Sequence, residues 1–275
     1  MVTAAVGGPR AAERLAAVAG RVTDRDRQLC RLLAEHRVLT IHQLTQLAFS
    51  NRDTAQDRLT TLHRLGLVDR FRPHRTPGSA PYHYVLGPLG AALLAAHHHP
   101  DPVPALVGYR RDRTLALAYS QRLAHLVGVN SFFCALTHTA RHQNGAELER
   151  WWSEQTCAAH WGRLVRPDGY GRWREHDTGV EFFLEYDRGS EPLARLAGKL
   201  PGYLALAQAT GIRTPLLLWL PTPAREAATR QALAGSSLPI ATASPQPDHT
   251  PAGPLWLPLQ TTGPRRRLAQ LASAW

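Results

Sequence analysis

Lysine is almost missing from this chain. Lys and Arg together number 32, yet the sequence holds a single Lys, Lys199, and all the others are Arg. With Ala and Gly abundant, this points to a GC-rich coding bias that turns Lys into Arg wherever either serves. A surviving Lys then marks a position where a rigid, always-charged guanidinium does not replace a compact ammonium. Cysteine is scarce as well. Cys30, Cys134 and Cys157 lie far apart with no CxxC spacing, which excludes a zinc module and a disulfide framework and leaves each as a small buried hydrophobe. Long apolar runs are absent. One of the longer ones, Leu216–Leu220, falls far short of the ~20 residues of a membrane helix, so no membrane partner is expected. Arg10, Glu13 and Arg14 interrupt any signal-peptide core, and the chain reads as cytoplasmic. No Gly-x-Ser-x-Gly elbow occurs. No Gly-x-Gly-x-x-Gly follows a strand, and Leu193 stands where a phosphate loop ending at Gly198-Lys199 needs Gly.

What the chain does have is length, apolar content and positive charge. Its 275 residues, 44% hydrophobic, are enough for one large domain or two ordinary ones. A net charge of +11 draws polyanions through counterion release. No basic amphipathic helix with a large aromatic face is present, which favours nucleic acid over a membrane surface.

Periodicity divides the chain. Residues 1–21 are an Ala/Gly-rich tail or loose first helix. Thr23 caps a helix with Asp24 and Asp26 in its first turn and Leu29, Leu32 and Leu33 on one face. Thr40 caps a second, with Ile41, Leu44 and Leu47 inward. Asn51 caps a third that buries Leu59 and Leu62 and stops at Gly66. Strand-like runs follow at Leu67–Arg72 and Tyr82–Leu86, joined by a basic turn, and an apolar helix spans Leu89–Ala96. Three helices, a strand, a turn and a strand over 22–96 resemble a winged helix-turn-helix. That resemblance implies a third helix in the major groove of double-stranded DNA, with Arg52, Gln56 and Arg58 suited to bases or phosphates, and positive charge on the wing from Arg70, Arg72, His74 and Arg75.

Residues 97–113 read as a linker, with a His97-His98-His99 run whose consecutive side chains suit a single ion poorly. An Ala/Leu-rich helix from Thr114 to His142, broken near Gly128, opens an α/β domain over 114–234. Its His138 and His142 are one turn apart but have no third ligand nearby. Strands are expected at Glu147–Trp152, Arg163–Arg166, Val180–Asp187 and Leu216–Leu220, with Gly169–Asp177 a turn-rich connection. Helices are expected from Glu191 to Ala209, kinked at Pro201, and over Pro223–Ala234. The Pro-rich segment 235–275 is expected to be loosely ordered up to Pro251 and to end in the basic Arg265-Arg266-Arg267.

The chemistry-bearing residues lie in this second domain. Side chains alternate along a strand, so Glu185 and Asp187 share a face that Asp168 also reaches. Three converging carboxylates repel unless a cation neutralises them, and Mg²⁺ or Mn²⁺ with oxygen ligands does so. Such an ion polarises a phosphodiester and activates water, and Lys199 would hold the phosphate. Tyr203, four residues on, shares the helix face of Lys199. Pro167-Asp168 and Glu185 resemble the PD-(D/E)xK nuclease superfamily, whose pattern is Pro-Asp and then an acid-x-Lys on the following strand. Asp187 stands where that Lys belongs, and Lys199 on the next helix takes its part as in some members. Glu154 is a further upstream acid. The alternative is that Asp168 caps a turn while Glu185 and Asp187 pair with arginines.

The whole of residues 22–220 resembles the replication-relaxation family of actinobacterial plasmids and integrative elements. The likeness rests on the winged-helix pattern, His125–Asn130, Trp151-Trp152-Ser153-Glu154, Pro167-Asp168, the run Phe182–Gly189, and Lys199 with Tyr203. It implies an α+β and α/β chain, with an N-terminal winged helix-turn-helix followed by a restriction-endonuclease-like mixed sheet flanked by helices. It also implies a mobile-element protein of replication or DNA relaxation, with plasmid replication or conjugation proteins as partners and homodimerisation open. Three activities remain: a metal-dependent nickase or endonuclease, a non-enzymatic initiator or repressor, and a relaxase that attacks DNA through Tyr186 or Tyr203.

Overall fold

The structure is a computed structural model that describes residues 9–73, 78, 80–96 and 109–275. The chain divides into two compact units, Met1–Asn130 and Ser131–Trp275.

The first unit holds α1 (Pro9–Ala19), α2 (Asp24–His36), β1 (Leu39–Thr40), α3 (Ile41–Ala48), α4 (Arg52–Arg64), β2 (Val68–Phe71), β3 (His83–Leu86), α5 (Pro88–Ala95) and α6 (Arg111–Leu115). The helix starts follow from side-chain caps. Thr23 with Asp26, and Thr40 with Gln43, form reciprocal capping boxes, and Asn51 accepts the Thr54 N–H at 2.9 Å. The apolar faces read from spacing are largely the buried ones: Leu29 and Leu33 with Leu32 half-buried, then Ile41, Leu44 and Leu47, then Leu59 and Leu62. Each contributes about 1.5–3 kcal/mol by leaving water. Gly66, at φ +77°, ends α4 in a conformation other residues rarely adopt. The three strands form an antiparallel sheet in the order β1-β3-β2. Three helices feeding a β2–β3 hairpin are consistent with the expected winged helix. His74, Arg75 and the His97–His99 run lie outside the described residues. The end of the expected linker is tied down: Tyr109 donates to Leu86 O at 2.6 Å, and Arg111 grips Asp69 at 2.8 and 2.9 Å.

The break expected near Gly128 falls earlier. A short 3₁₀ turn at Ala116–Tyr119 precedes α7 (Leu123–His142), which runs unbroken through Gly128. One helical Gly costs about 1 kcal/mol, less than the burial of Phe132, Phe133 and Leu136 returns.

The second unit is built on a six-stranded mixed sheet. Its elements are β4 (Ala146–Ser153), α8 (Glu154–Trp161), β5 (Gly169–Glu175), β6 (Thr178–Tyr186), α9 (Leu193–Ala197), α10 (Leu200–Thr210), β7 (Leu216–Trp219), α11 (Pro223–Ala232), β8 (Ile240–Ala243) and β9 (Leu257–Pro258). The strands lie in chain order. β4, β5 and β6 run antiparallel, β6, β7 and β8 parallel, and β9 returns antiparallel to β8. On one face Phe132 meets Phe182, Trp219 and Trp256 with ring centroids 5.3–6.2 Å apart. On the other, Phe183, Leu216 and Leu218 pack against Tyr203 and Leu206 of α10.

Five expectations are corrected. Arg163–Arg166 is no strand, because the turn that follows α8 and an irregular stretch leading to Asp168 occupy it. Gly169–Asp177 is mostly strand β5, not a connection. Its glycines mark close approach rather than a turn: a Cβ on Gly171 would lie 2.5 Å from the Phe182 ring, and one on Gly169 2.7 Å from Phe133. The helix kinked at Pro201 is two helices, broken at Gly198-Lys199, with Pro201 in the first turn of α10, where its missing N–H costs nothing. Residues 235–251 include β8, buried throughout, rather than a loose segment. The closing arginines are not a free basic end either, since Arg265 pairs with Glu226 and Arg267 with Glu175.

Candidate active site

Strand β6 sets the site. Val180, Phe182 and Leu184 face one way, so Phe183 and Glu185 face α10. Glu185 is 2% exposed. Gly169 opposes Leu184 in the ladder, which brings Asp168, just before β5, beside the end of β6. Asp168 Oδ2 accepts the Tyr186 N–H at 2.8 Å. Lys199 is the N-cap residue of α10 and Tyr203 stands one turn on. Pro201 leaves the turn intact, with Tyr203 N 3.4 Å from Lys199 O. Both side chains therefore reach the same carboxylate. Lys199 Nζ donates to Glu185 Oε2, and Tyr203 OH donates to Oε1 at 2.6 Å. Lys199 Nζ is also 3.9 Å from Asp168 Oδ1.

The electrostatics are those of two acids sharing one cation, with Glu185 itself out of water. Burial, with the Asp168 charge behind it, pushes the Glu185 carboxyl above its ordinary value, although Lys199 and Tyr203 pull the other way. Burial works against the Lys199 ammonium, but Glu185 and Asp168 outweigh it and the net is upward. Burial and the neighbouring Glu185 raise the Tyr203 hydroxyl well above its usual range. Among the described residues every other ion pair uses Arg or His. The one lysine of the chain stands where a buried acid, Glu185, and a half-buried one, Asp168, converge.

The structure thus brings Asp168, Glu185, Lys199 and Tyr203 together. It does not bring Asp187 to them. β6 ends at Tyr186, so alternation no longer governs the next side chain, and Asp187 pairs with Arg225 Nε at 2.6 Å while accepting the Gly189 N–H. Glu154 is exposed in the first turn of α8. Among the described residues no group of three His, Cys, Asp or Glu side chains is placed to hold a metal. Arg225 carried no sequence signal, because the turn that carries Asp187 to it is set by the fold.

In the first unit, Arg52 and Gln56 project from α4 into solvent. Arg70 and Arg72 lie over the Tyr82 ring, 4.3 and 3.8 Å from its centroid. Arg58 is different from the free base-reading residue expected. Its guanidinium grips Asp26, which is fully buried, and donates to Arg21 O at 3.0 Å. Arg58→Ala strands that acid in the core, and the unit is expected to lose about 3 kcal/mol, read as a lower urea midpoint, before any DNA is added. A midpoint within 0.5 kcal/mol of the parent would return Arg58 to the DNA-facing set.

An α/β unit with a buried acid–lysine–tyrosine cluster, preceded by a helical unit with a two-strand hairpin, is the class of protein that fold and site define. The model of the replication-relaxation family matches residues 30–216, and the chain belongs to that family. Membership carries a role in plasmid replication or relaxation, with DNA and replication proteins as partners at that coarse level. No curated protein and no solved structure matches the chain. Among the described residues no helix is long and apolar enough to cross a membrane.

Proposed function

We propose that the protein is a metal-dependent DNA nickase or endonuclease of a mobile element, with the N-terminal unit choosing the site on double-stranded DNA. The observation that carries this reading is the single Lys of the chain bound to a buried Glu beside a second acid. A merely structural pair would use Arg, as the other charged pairs of the fold do. The order α7, β4, α8, β5, β6, α9, α10, β7, an antiparallel trio of strands followed by a helical crossover to a parallel strand, supports the likeness to PD-(D/E)xK nucleases. So does the position of Asp168 beside Glu185.

The donor set fits Mg²⁺ or Mn²⁺ through Asp168 and Glu185, since Mg²⁺ is commonly held by one or two carboxylates plus water and phosphate oxygens. Asp187 is not needed. Bound there, the ion would supply a Lewis acid and a more acidic water. Tyr203 fixes the plane of the Glu185 carboxylate. Lys199, about a third exposed, turns from Glu185 to a non-bridging phosphate oxygen and balances charge that develops in the transition state. Tyr203 itself is a poor nucleophile, because it is buried and its proton is held against a carboxylate. The second reading is a non-enzymatic initiator or repressor. It is favoured by the engagement of both Glu185 oxygens and by the pairing of Asp187 with Arg225.

Supercoiled plasmid carrying the cognate element, incubated with the full chain and Mg²⁺ or Mn²⁺, separates the two. Nicked or linear product abolished by EDTA is the expected result. A salt-sensitive gel shift with no product favours the initiator. Removing Arg52 and Gln56 together by Ala is expected to weaken the gel shift of the cognate duplex at least tenfold and to flatten its salt dependence by about one unit of log–log slope.

A further inference from the structure

Resting on this DNA-processing reading, we infer that the surface beside the acid–lysine cluster grips an unpaired stretch of DNA, so that the strand presented for chemistry is single-stranded there. The surface is the outer rung of an aromatic ladder on β4, α8 and β5 whose inner ring, Tyr170, is buried. Trp152 stacks on His160 at 4.6 Å and 18°, and meets Tyr170 at 4.9 Å and Trp161 at 5.4 Å. The ladder leads to the cluster by contact: Trp161 to Phe183 at 5.0 Å, Phe183 to Tyr203 at 5.4 Å, and Tyr203 to Glu185. Its outer rung is exposed, because His160 is open to solvent while Trp152 and Trp161 are half-buried beneath it.

Charge completes the surface. The Arg150 guanidinium lies 5.3 Å from the Trp152 ring centroid. Arg163 and Arg166 are exposed on the loop between α8 and Asp168. Among the described residues none of these three is ion-paired, whereas Arg172 and Arg174 on β5 are held by Glu149 and Glu147. An arginine over a stacked ring, with two more exposed on the loop that follows α8, is what a single strand requires, because its bases offer flat faces and its phosphates need counter-charge. A duplex hides those faces in its own stack. The structural alternative, a ladder that only packs, explains the half-buried tryptophans but leaves the exposed His160 and the three arginines without work.

The test titrates fluorescently labelled dT12, and the same length of abasic strand, against the full chain in EDTA, so that no cleavage enters. The wild type is expected to bind dT12 at least tenfold more tightly than the abasic strand. His160→Ala, a surface change that the fold tolerates, is expected to weaken dT12 roughly tenfold. Arg150→Ser, Arg163→Ser and Arg166→Ser combined are expected to lower its log–log salt slope by about 2. Cognate duplex binding should change less than twofold in both variants. Equal affinity for dT12 and the abasic strand, or an unaltered dT12 isotherm in both variants, overturns the inference. A protein that binds dT12 this way yet nicks nothing sinks only the nuclease reading, and one that nicks but ignores the variants sinks only this one.

Discussion

Lys199→Ala is expected to lower metal-dependent nicking by about 10²–10³-fold while the duplex gel shift stays within twofold of wild type. The change removes the cation held against the Glu185 carboxylate, the one ion-paired with it among the described residues, and close to the phosphate proposed to dock beside it. Lys199→Arg is the sharper variant. At every other basic position this chain uses Arg, so an Arg that restored full activity would remove the reason for assigning the lysine a chemical role. Recovery of no more than a tenth of the rate is expected, because a bulky planar fork replaces a compact point charge that reaches both Glu185 and Asp168. Stability separates chemistry from folding. Burial raises the Glu185 carboxyl in the folded chain above its unfolded value, so folding prefers the neutral form, and stability falls as pH rises above the ordinary carboxylate value near 4.5. Without Lys199 that fall is steeper. The Ala variant should match wild type at pH 5 and melt earlier at pH 8, and nicking compared where both are folded isolates the chemical loss. Equal nicking by wild type and Lys199→Ala would end the nuclease reading.

The first unit was legible because its information is local. Thr23, Thr40 and Asn51 cap the helices that follow them, and a cap acts within three residues. Arg58 was not legible in this way, because its partner Asp26 is 32 positions away and only tertiary packing brings them together. In the second unit β6 announced itself through Val180–Tyr186, a run rich in β-formers. β5 did not, because Gly169 and Gly171 read as turn residues until the Phe133 and Phe182 rings that need the space are known. The cluster followed the same division. Glu185, Lys199 and Tyr203 came from strand alternation and a one-turn spacing. Asp187 failed because alternation was carried one residue past the end of the strand. β8 was lost in a Pro- and Ser-rich stretch whose burial depends on β7 and β9 on either side.

Glu226→Ala is expected to cost the second unit about 3–5 kcal/mol and to lower its melting temperature by roughly 10 °C. Glu226 is 2% exposed on α11. It accepts from Arg265 at 2.8 and 2.9 Å, from Thr242 at 2.8 Å and from Ser244 at 3.1 Å. One carboxylate thus fastens the C-terminal segment to α11 and to β8. Arg230, one turn on, donates to the carbonyls of Leu257, Pro258, Leu259 and Thr261 along the same segment. Removing the acid leaves two guanidiniums facing each other with their compensating charge gone. Burial pushes the Glu226 carboxyl up, but Arg265, Thr242 and Ser244 together hold it below its ordinary value near 4.5. Its contribution is therefore complete above that value and is lost as pH falls further. Urea midpoints taken from pH 7 down to pH 3 should show the wild type losing stability on acidification and Glu226→Ala losing less. The double variant Glu226→Leu with Arg265→Met should recover part of the loss, because a buried pair replaced as a whole leaves no stranded charge. A single-variant cost below 1 kcal/mol would mean that β8 and β9 hold the segment by backbone pairing alone. In that case the Pro-rich end is dispensable to the sheet that presents Glu185.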